Sequence, residues 1–312
     1  MKTAFRRLVR FKTSDGEIKY GEASEQVKVG DEVKTYKGTE PWNLDPSDDQ
    51  AVIAEVLTEC LYISKGEGQL SIGIDSLSSY EHAYLLRHRV ELQRTYRRSQ
   101  VRSTTVPDCF YKAPRFVLLV CAFQMCSLIT RTGALAGPYD DVHVDPACQF
   151  LDYEGELAFI IGKDVRNYSA NDGFEEFLLG YTIGNDVSSR YWQMPERSGG
   201  QHGYAKSFDQ FGPIGPVIVS TSEIPQPHLD LKTSVNGEER QKSNTSDLLF
   251  TVPQILEHLS RGTTLRKGTV VLTGTPSGVA AFMKPPVWLK TGDVVEIEIS
   301  QIGKIKNKMV IQ

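Results

Sequence analysis

The stretch LDYEGELAFIIGKDV (residues 151–165) sets carboxylates at Asp152, Glu154 and Glu156, every second position. In an extended chain, residues two apart point to one face. The apolar LAFIIG that follows reads as a buried strand. At an effective dielectric near 20, two carboxylates ~4 Å apart repel by about 4 kcal/mol. Protonating one of them, or sharing a cation, relieves that repulsion. Several oxygens with no soft ligand nearby select Mg2+, Mn2+ or Ca2+ over zinc.

A further acid follows in GYTIGNDVSSRYWQ. A helix beginning at Asp186 would set Arg190 and Gln193 at i+4 and i+7 on the same face. Asp186 offers a ligand oxygen, Arg190 a bidentate grip on a substrate carboxylate, and Gln193 one orienting hydrogen bond. Lys206, just before the turn FGPIGP, offers an ammonium to a developing oxyanion. TGTPSGV (273–279) follows the apolar GTVVL and lets backbone N–H groups and a hydroxyl approach a ligand closely. Each element also has a plainer reading: a solvated strand face, a surface ion pair, an exposed lysine, a tight turn.

These residues need a scaffold, and the composition allows one. The chain has 312 residues, 40% hydrophobic and 24% charged, enough for one large domain or two smaller ones. A net charge of −4 gives no electrostatic case for nucleic acid or an anionic membrane. The basic RTYRRSQVR reads as a solvated helix end or loop. The five cysteines (Cys60, Cys109, Cys121, Cys126, Cys148) form no C-x-x-C pair, so neither a zinc site nor a disulfide framework is indicated. A reducing compartment follows, the cytoplasm first and the mitochondrion second. The basic opening MKTAFRRLVRFK lacks the continuous apolar core of a secretory signal. RLVRF, SDGE and IKYGEA instead read as a hairpin turning at Asp15-Gly16.

PSDDQAVIAEVLTEC and EHAYLLRHRVELQRTYRR read as helices, and a boundary near residue 107 divides a small N-terminal domain (1–107) from the remainder (108–312). Beyond it, ELAFIIG, PIGPVIVS, LDLKTSVNGEER, GTVVLTG and DVVEIEIS read as strands, with NDGFEEFLLGYTIG and VPQILEHLSRG as helices. The fold class is α+β and β-rich, not a doubly wound sheet. No G-x-G-x-x-G follows a strand, so a dinucleotide site has no support. FVLLVCAFQMCSLI (116–129) is apolar but shorter than the ~20 residues of a membrane span.

The unbroken order LDYEGELAFIIGK, GYTIGNDVSSRYWQ, KSFDQFGPIGP, NGEERQKSNTSDLLF, LTGTPSGV and LKTGDVVEIEISQIGKIKN resembles the fumarylacetoacetate hydrolase family, from about residue 148 to the end. RLVRFKTSDGEIKYGEA resembles the small leading domain of family members of this length. The resemblance implies a mixed β-roll, a homodimer, and a divalent cation (Mg2+ or Mn2+, with Ca2+ as a further option) on Glu154, Glu156 and Asp186. It implies substrate contacts from Arg190, Gln193, Lys206 and Thr275, with Asp152 in the motif but not a ligand. The implied partners are small 2-oxo or 1,3-dicarbonyl acids such as acylpyruvates, fumarylacetoacetate and oxaloacetate, whose carbonyl or enolate a metal polarises. Neither nucleic acid nor a membrane is expected.

Two features depart from the family. Its hydrolytic members carry a water-activating His and Glu in a lid stretch like G-x-N-Y-x-x-H-x-x-E. Here YLLRHRVELQ supplies His88 and Glu91 at i, i+3 without the preceding Gly and Asn-Tyr; a polar surface helix is the alternative. The family also joins F-x-K-P almost directly to ALAGP, whereas FYKAPR and ALAGPYDDV are separated by 116–133, which reads as an insertion of the kind an unspliced intron leaves. The leading expectation is C–C bond hydrolysis of an acylpyruvate-type substrate. An oxaloacetate tautomerase or decarboxylase is the alternative if His88 and Glu91 form no dyad, and a catalytically impaired metal-binding relative is the third. Sequencing of the spliced transcript is expected to return reads without 116–133; a message that keeps the segment throughout ends the intron reading.

Overall fold

The computed structural model describes residues 3–57, 132–200 and 202–312. His88, Glu91, the helix expected around them and nearly all of the suspected insertion lie outside these residues.

The alternation near the start builds the expected hairpin. β1 (Arg7–Lys12) and β2 (Ile18–Glu22) pair antiparallel, closed by a Gly16 N–H to Thr13 carbonyl bond of 2.9 Å. β3 (Glu32–Lys37) and β4 (Asp45–Val52) extend the sheet, and β5 (Glu55–Val56) returns to pair with β1. PSDDQAV is thus a strand, not the start of the expected helix. The edge of β3 has backbone groups that need partners, and satisfying them outweighs a local helical preference.

The remaining strands are β6 (Leu135–Ala136), β7 (Val142–Val144), β8 (Leu151–Asp152), β9 (Gly155–Ile161), β10 (Val165–Arg166), β11 (Leu178–Asn185) and β12 (Ser188–Ser189). They continue with β13 (Gly212–Val219), β14 (Asp230–Val235), β15 (Glu238–Asn244), β16 (Thr264–Leu265), β17 (Val270–Leu272), β18 (Val294–Ile299) and β19 (Gly303–Ile311). Among the described residues, the α-helices are the single turns α1 (Arg190–Gln193), α2 (Pro195–Ser198) and α3 (Gly203–Lys206), and the longer α4 (Val252–Ser260). The molecule is therefore the strand-rich α+β fold that the sequence implies. Among the described residues, no helix is long and apolar enough to cross a membrane.

A ten-stranded sheet runs β17-β9-β11-β13-β1-β2-β3-β4, with β5 and β6 paired to β1 and β13. A five-stranded sheet runs β15-β14-β18-β19-β7. β9 is buried along its whole length. Leu157, Phe159 and Ile161 join a cluster containing Leu231, Ile297 and Ile305 of the second sheet. Ala158 and Ile160, on the opposite face, join Leu8, Ile214, Ile218 and Leu272. β11, within the stretch read as a helix, is a central strand between β9 and β13 with all of its residues buried. A strand buried on both faces shows a continuous apolar run, and periodicity cannot separate that from a buried helix. The helix expected over VPQILEHLS is present, with Thr251 and Gln254 forming a capping box.

Phe159 has no exposed surface. Phe159→Ala is expected to cost about 3–5 kcal/mol, read as a lowered midpoint in chemical denaturation.

Candidate functional site

Three segments converge on the start of β9. The chain leaves the β8 ladder at Asp152, where β8 pairs with β12, and re-enters a strand at Gly155. Between them, Glu154 N–H donates to Asn185 Oδ1 (3.1 Å) and Asp186 N–H donates to the Glu154 carbonyl (2.9 Å). These two bonds tie the start of β9 to the end of β11. On the opposite side lies the loop after β17. Thr273 N–H and Oγ1 both donate to the Leu157 carbonyl, at 3.0 and 2.9 Å, and Thr275 Oγ1 donates to the Gly155 carbonyl at 3.1 Å. Between them Gly274, at φ +98°, donates its N–H to Glu156 Oε2 at 2.7 Å.

The glycine separating the two glutamates has a steric cause. A Cβ on Gly155 would overlap Thr233 Oγ1 and crowd Gln241 and Ile297 of the second sheet. Gln241 uses this approach. Its Oε1 accepts from Gly155 N–H (3.0 Å), and its Nε2 donates to Thr275 Oγ1 (2.8 Å) and to the Pro276 carbonyl (2.9 Å). One buried amide therefore clamps the glutamate-bearing strand to the loop after β17.

Glu154, Glu156 and Asp186 are all buried, and each presents a carboxylate oxygen within 4.8 Å of the others. Lys206, the last residue of α3, donates from Nζ to Glu154 Oε2 at 2.6 Å and to Asp186 Oδ2. Arg190, the first residue of α1, donates from Nη2 to Glu154 Oε1 (2.6 Å), from Nε to Asp152 Oδ2 (2.9 Å) and from Nη1 to Gln193 Oε1 (2.9 Å). Asp152 also accepts the N–H groups of Tyr153, Ala280 and Ala281 at 2.8–3.0 Å. Its carboxylate is consumed in positioning Arg190 and that turn.

Four buried carboxylates thus face one ammonium and one guanidinium. Burial pushes Glu154 up, but Lys206 and Arg190 outweigh it and hold the group at about 2. Burial, with the charges of Asp186 and Glu154, lifts Glu156 well above the usual carboxylate range. Burial lifts Asp186 to about 7, with Glu154 adding to the rise and Lys206 offsetting part of it. Burial alone would lower Lys206, yet Asp186, Glu154 and Glu156 hold it above its ordinary value. The cluster therefore retains protons or takes up positive charge. All of its donors are hard oxygens, so a divalent cation of the Mg2+, Mn2+ or Ca2+ type fits the charge deficit and the donor set.

Of the residues singled out in the sequence, Glu154, Glu156, Asp186, Lys206, Arg190 and Gln193 come together, with Thr275 reaching them through Gly155. The helix expected from Asp186 does not form. Ser188–Ser189 is strand β12, and α1 begins only at Arg190. The backbone at Asp186 and Val187 is held by the carbonyls of Glu154 and Phe211 instead. Arg190 and Gln193 still meet, as i and i+3 of one turn. Sequence reasoning passed over Gln241, which looks like a solvated position in EERQKSN, and Asn185, which reads as a turn residue. It also passed over His202, a half-buried imidazole whose surrounding charges are Lys206, Arg190 and Glu154.

The family model described as fumarylacetoacetate hydrolase C-terminal matches residues 124–310. Proteins named mitochondrial oxaloacetate tautomerase from Xenopus laevis and Homo sapiens are each 43% identical over 178 residues, covering 57% of this chain. The chain spans only 55–56% of the length of these relatives. Among solved structures, a 2-hydroxyhepta-2,4-diene-1,7-dioate isomerase from Mycobacterium marinum aligns over 98% of this chain and 99% of its own, at TM-score 0.65 and 25% identity. A fumarylacetoacetate hydrolase from Exiguobacterium antarcticum is 41% identical over 58% of this chain and 64% of its own, at TM-score 0.53.

A carboxylate binds a metal only after losing its proton, and Asp186 holds its proton up to about pH 7. Burial holds a proton on Glu156 as well, so apparent Mn2+ affinity is expected to rise with pH, by about tenfold per unit for each displaced proton. Calorimetric titrations at pH 6 and pH 8 check this. Glu156→Gln is expected to weaken binding about tenfold or more at either pH. A flat pH dependence with an unaffected variant would place the metal elsewhere.

Proposed function

The chain belongs to the fumarylacetoacetate hydrolase family, and we propose that it is a divalent-metal-dependent enzyme interconverting the enol and keto forms of oxaloacetate or a similar small 2-oxo diacid. The observation that carries this reading is the buried cluster of Glu154, Glu156 and Asp186. Adjacent oxygens of a 2-oxo acid suit a shared hard cation, which when bound supplies Lewis-acid polarisation of the carbonyl or enolate. Mg2+ and Mn2+ suit the site best, with Ca2+ also compatible.

The protein's own groups then have distinct tasks. Lys206 counters the negative charge that gathers on the enolate oxygen. Arg190 has its Nε, Nη1 and Nη2 on protein partners, so we assign it to hold Glu154 and to orient Gln193. Gln193 Nε2 is buried without a hydrogen-bond partner among the described residues, which makes it a donor for a substrate oxygen. Thr275 supports the strand carrying both glutamates through its bond to Gly155. The relatives named oxaloacetate tautomerases favour tautomerisation over C–C cleavage, because tautomerisation needs a proton carrier and no activated water. C–C hydrolysis stays the second reading, supported by the likeness to a maleylpyruvate hydrolase from a Sphingobium species at 31% identity and TM-score 0.51. A homodimer is proposed from family membership. The mitochondrial names of the relatives support that compartment over the cytoplasm.

With Mg2+ present, the protein is expected to speed the loss of the ultraviolet absorbance of enol-oxaloacetate, and Glu154→Ala to lower that rate about 10²-fold or more. Equal rates for wild type and variant would end the tautomerase reading. Cleavage of acetylpyruvate into acetate and pyruvate by the wild type, absent in Glu154→Ala, would favour the hydrolase instead.

A further inference from the structure

Tautomerisation moves a proton, and most titratable side chains around the carboxylate cluster are already engaged. Lys206 is ion-paired to Glu154 and Asp186, Asp152 is saturated by Arg190 and backbone N–H groups, and Glu156 accepts from Gly274. His202 is different. It immediately precedes α3 with helical backbone angles (φ −100°, ψ −6°), and Lys206 lies four residues on. Residues four apart on a helical turn share a face, so the imidazole lies on the side of the turn that carries the Lys206 ammonium. The turn is held by the Ser207 Oγ bond to the Gly203 carbonyl (2.6 Å) and by Tyr204, which meets Trp192 and Phe208 edge-on with ring centroids 5.2 and 5.0 Å apart. His202 is half-buried, and no hydrogen bond, ion pair or ring contact to a described residue occupies its imidazole.

We propose that His202 is the proton carrier of this site, placed by α3 on the same face as Lys206 and facing the reacting enol. The proposal rests on the tautomerase reading above. The neutral imidazole accepts the proton of the enol hydroxyl at C2, the C2–O bond becomes a carbonyl, and the C2=C3 electron pair turns to C3. The imidazolium then returns the same proton to C3. One O–H bond breaks and one C–H bond forms, with no net gain or loss of protons or electrons. The surroundings suit this role: burial, with Lys206 and Arg190, lowers the proton affinity of His202 and so favours the neutral imidazole, and Glu154 offsets only part of that.

The test uses the full chain loaded with Mn2+. His202→Ala is expected to lower kcat for enol-oxaloacetate about 10²-fold, with KM within about twofold and an unchanged melting temperature. Added free imidazole is expected to restore part of kcat, which a merely structural role would not allow. Rescue decides the matter rather than the pH profile, because metal binding to the carboxylates is itself pH-dependent. Independently of activity, Mn2+ should broaden the one imidazole proton resonance that is missing from His202→Ala. Unchanged kcat, a loss that imidazole does not restore, or a His202 resonance untouched by Mn2+ would each overturn the proposal while leaving the tautomerase reading intact. A wild type no faster than Glu154→Ala would remove the tautomerase reading itself, and the role of His202 with it.

Discussion

Burying several carboxylates within a few ångströms of one another is the constraint that organises this molecule. Water would screen their repulsion, but a core strand excludes water, so protein groups must supply the compensation. Lys206 and Arg190 supply part of it, and each must be held in place at one end of a single-turn helix. Those turns depend in turn on Asp152, on the β8–β12 pairing and on the aromatic contacts of Trp192, Tyr204 and Phe208. The remaining charge deficit falls on Glu156 and Asp186, the two groups that burial lifts furthest toward the protonated form. The proposed metal site and the charge-compensated core are here the same arrangement of residues.

The two sheets take part directly. β9 is buried on both faces, so the row that begins with Glu154 and Glu156 continues inward as Ala158 and Ile160. Its apolar half fixes the strand, and its acidic half is presented where the strand emerges beside the loop after β17. Gln241, from the second sheet, joins the Gly155 backbone to that loop with one amide. The precision of the carboxylate cluster therefore depends on how the sheets pack, as much as on the glutamates themselves.

Much of this was legible in the chain. Period-2 spacing put the acids on one face, and most of the strands, the opening hairpin and the helix over Val252–Ser260 followed from local pattern. The mistaken elements share one cause. Residues 171–184 and the start of 46–60 have helix-like patterns, yet β11 is a central strand and β4 pairs with the edge of β3. In each case a partner distant in sequence settled the conformation. The helix expected from Asp186 failed for the same reason, since β12 is defined by its pairing with β8.

The sequence alone determined the chemical types available: several acids at strand spacing, an arginine and a lysine downstream, and hard oxygen donors without a soft competitor. Those follow from side-chain identity and the geometry of an extended chain. Only the tertiary structure decided which charges meet. It showed that Arg190 is occupied by Asp152 and Glu154, that Lys206 sits inside the carboxylate cluster, and that Gln241 and His202 belong to the same neighbourhood. Burial and through-space charge set those relations, and both depend on contacts between residues far apart in the chain.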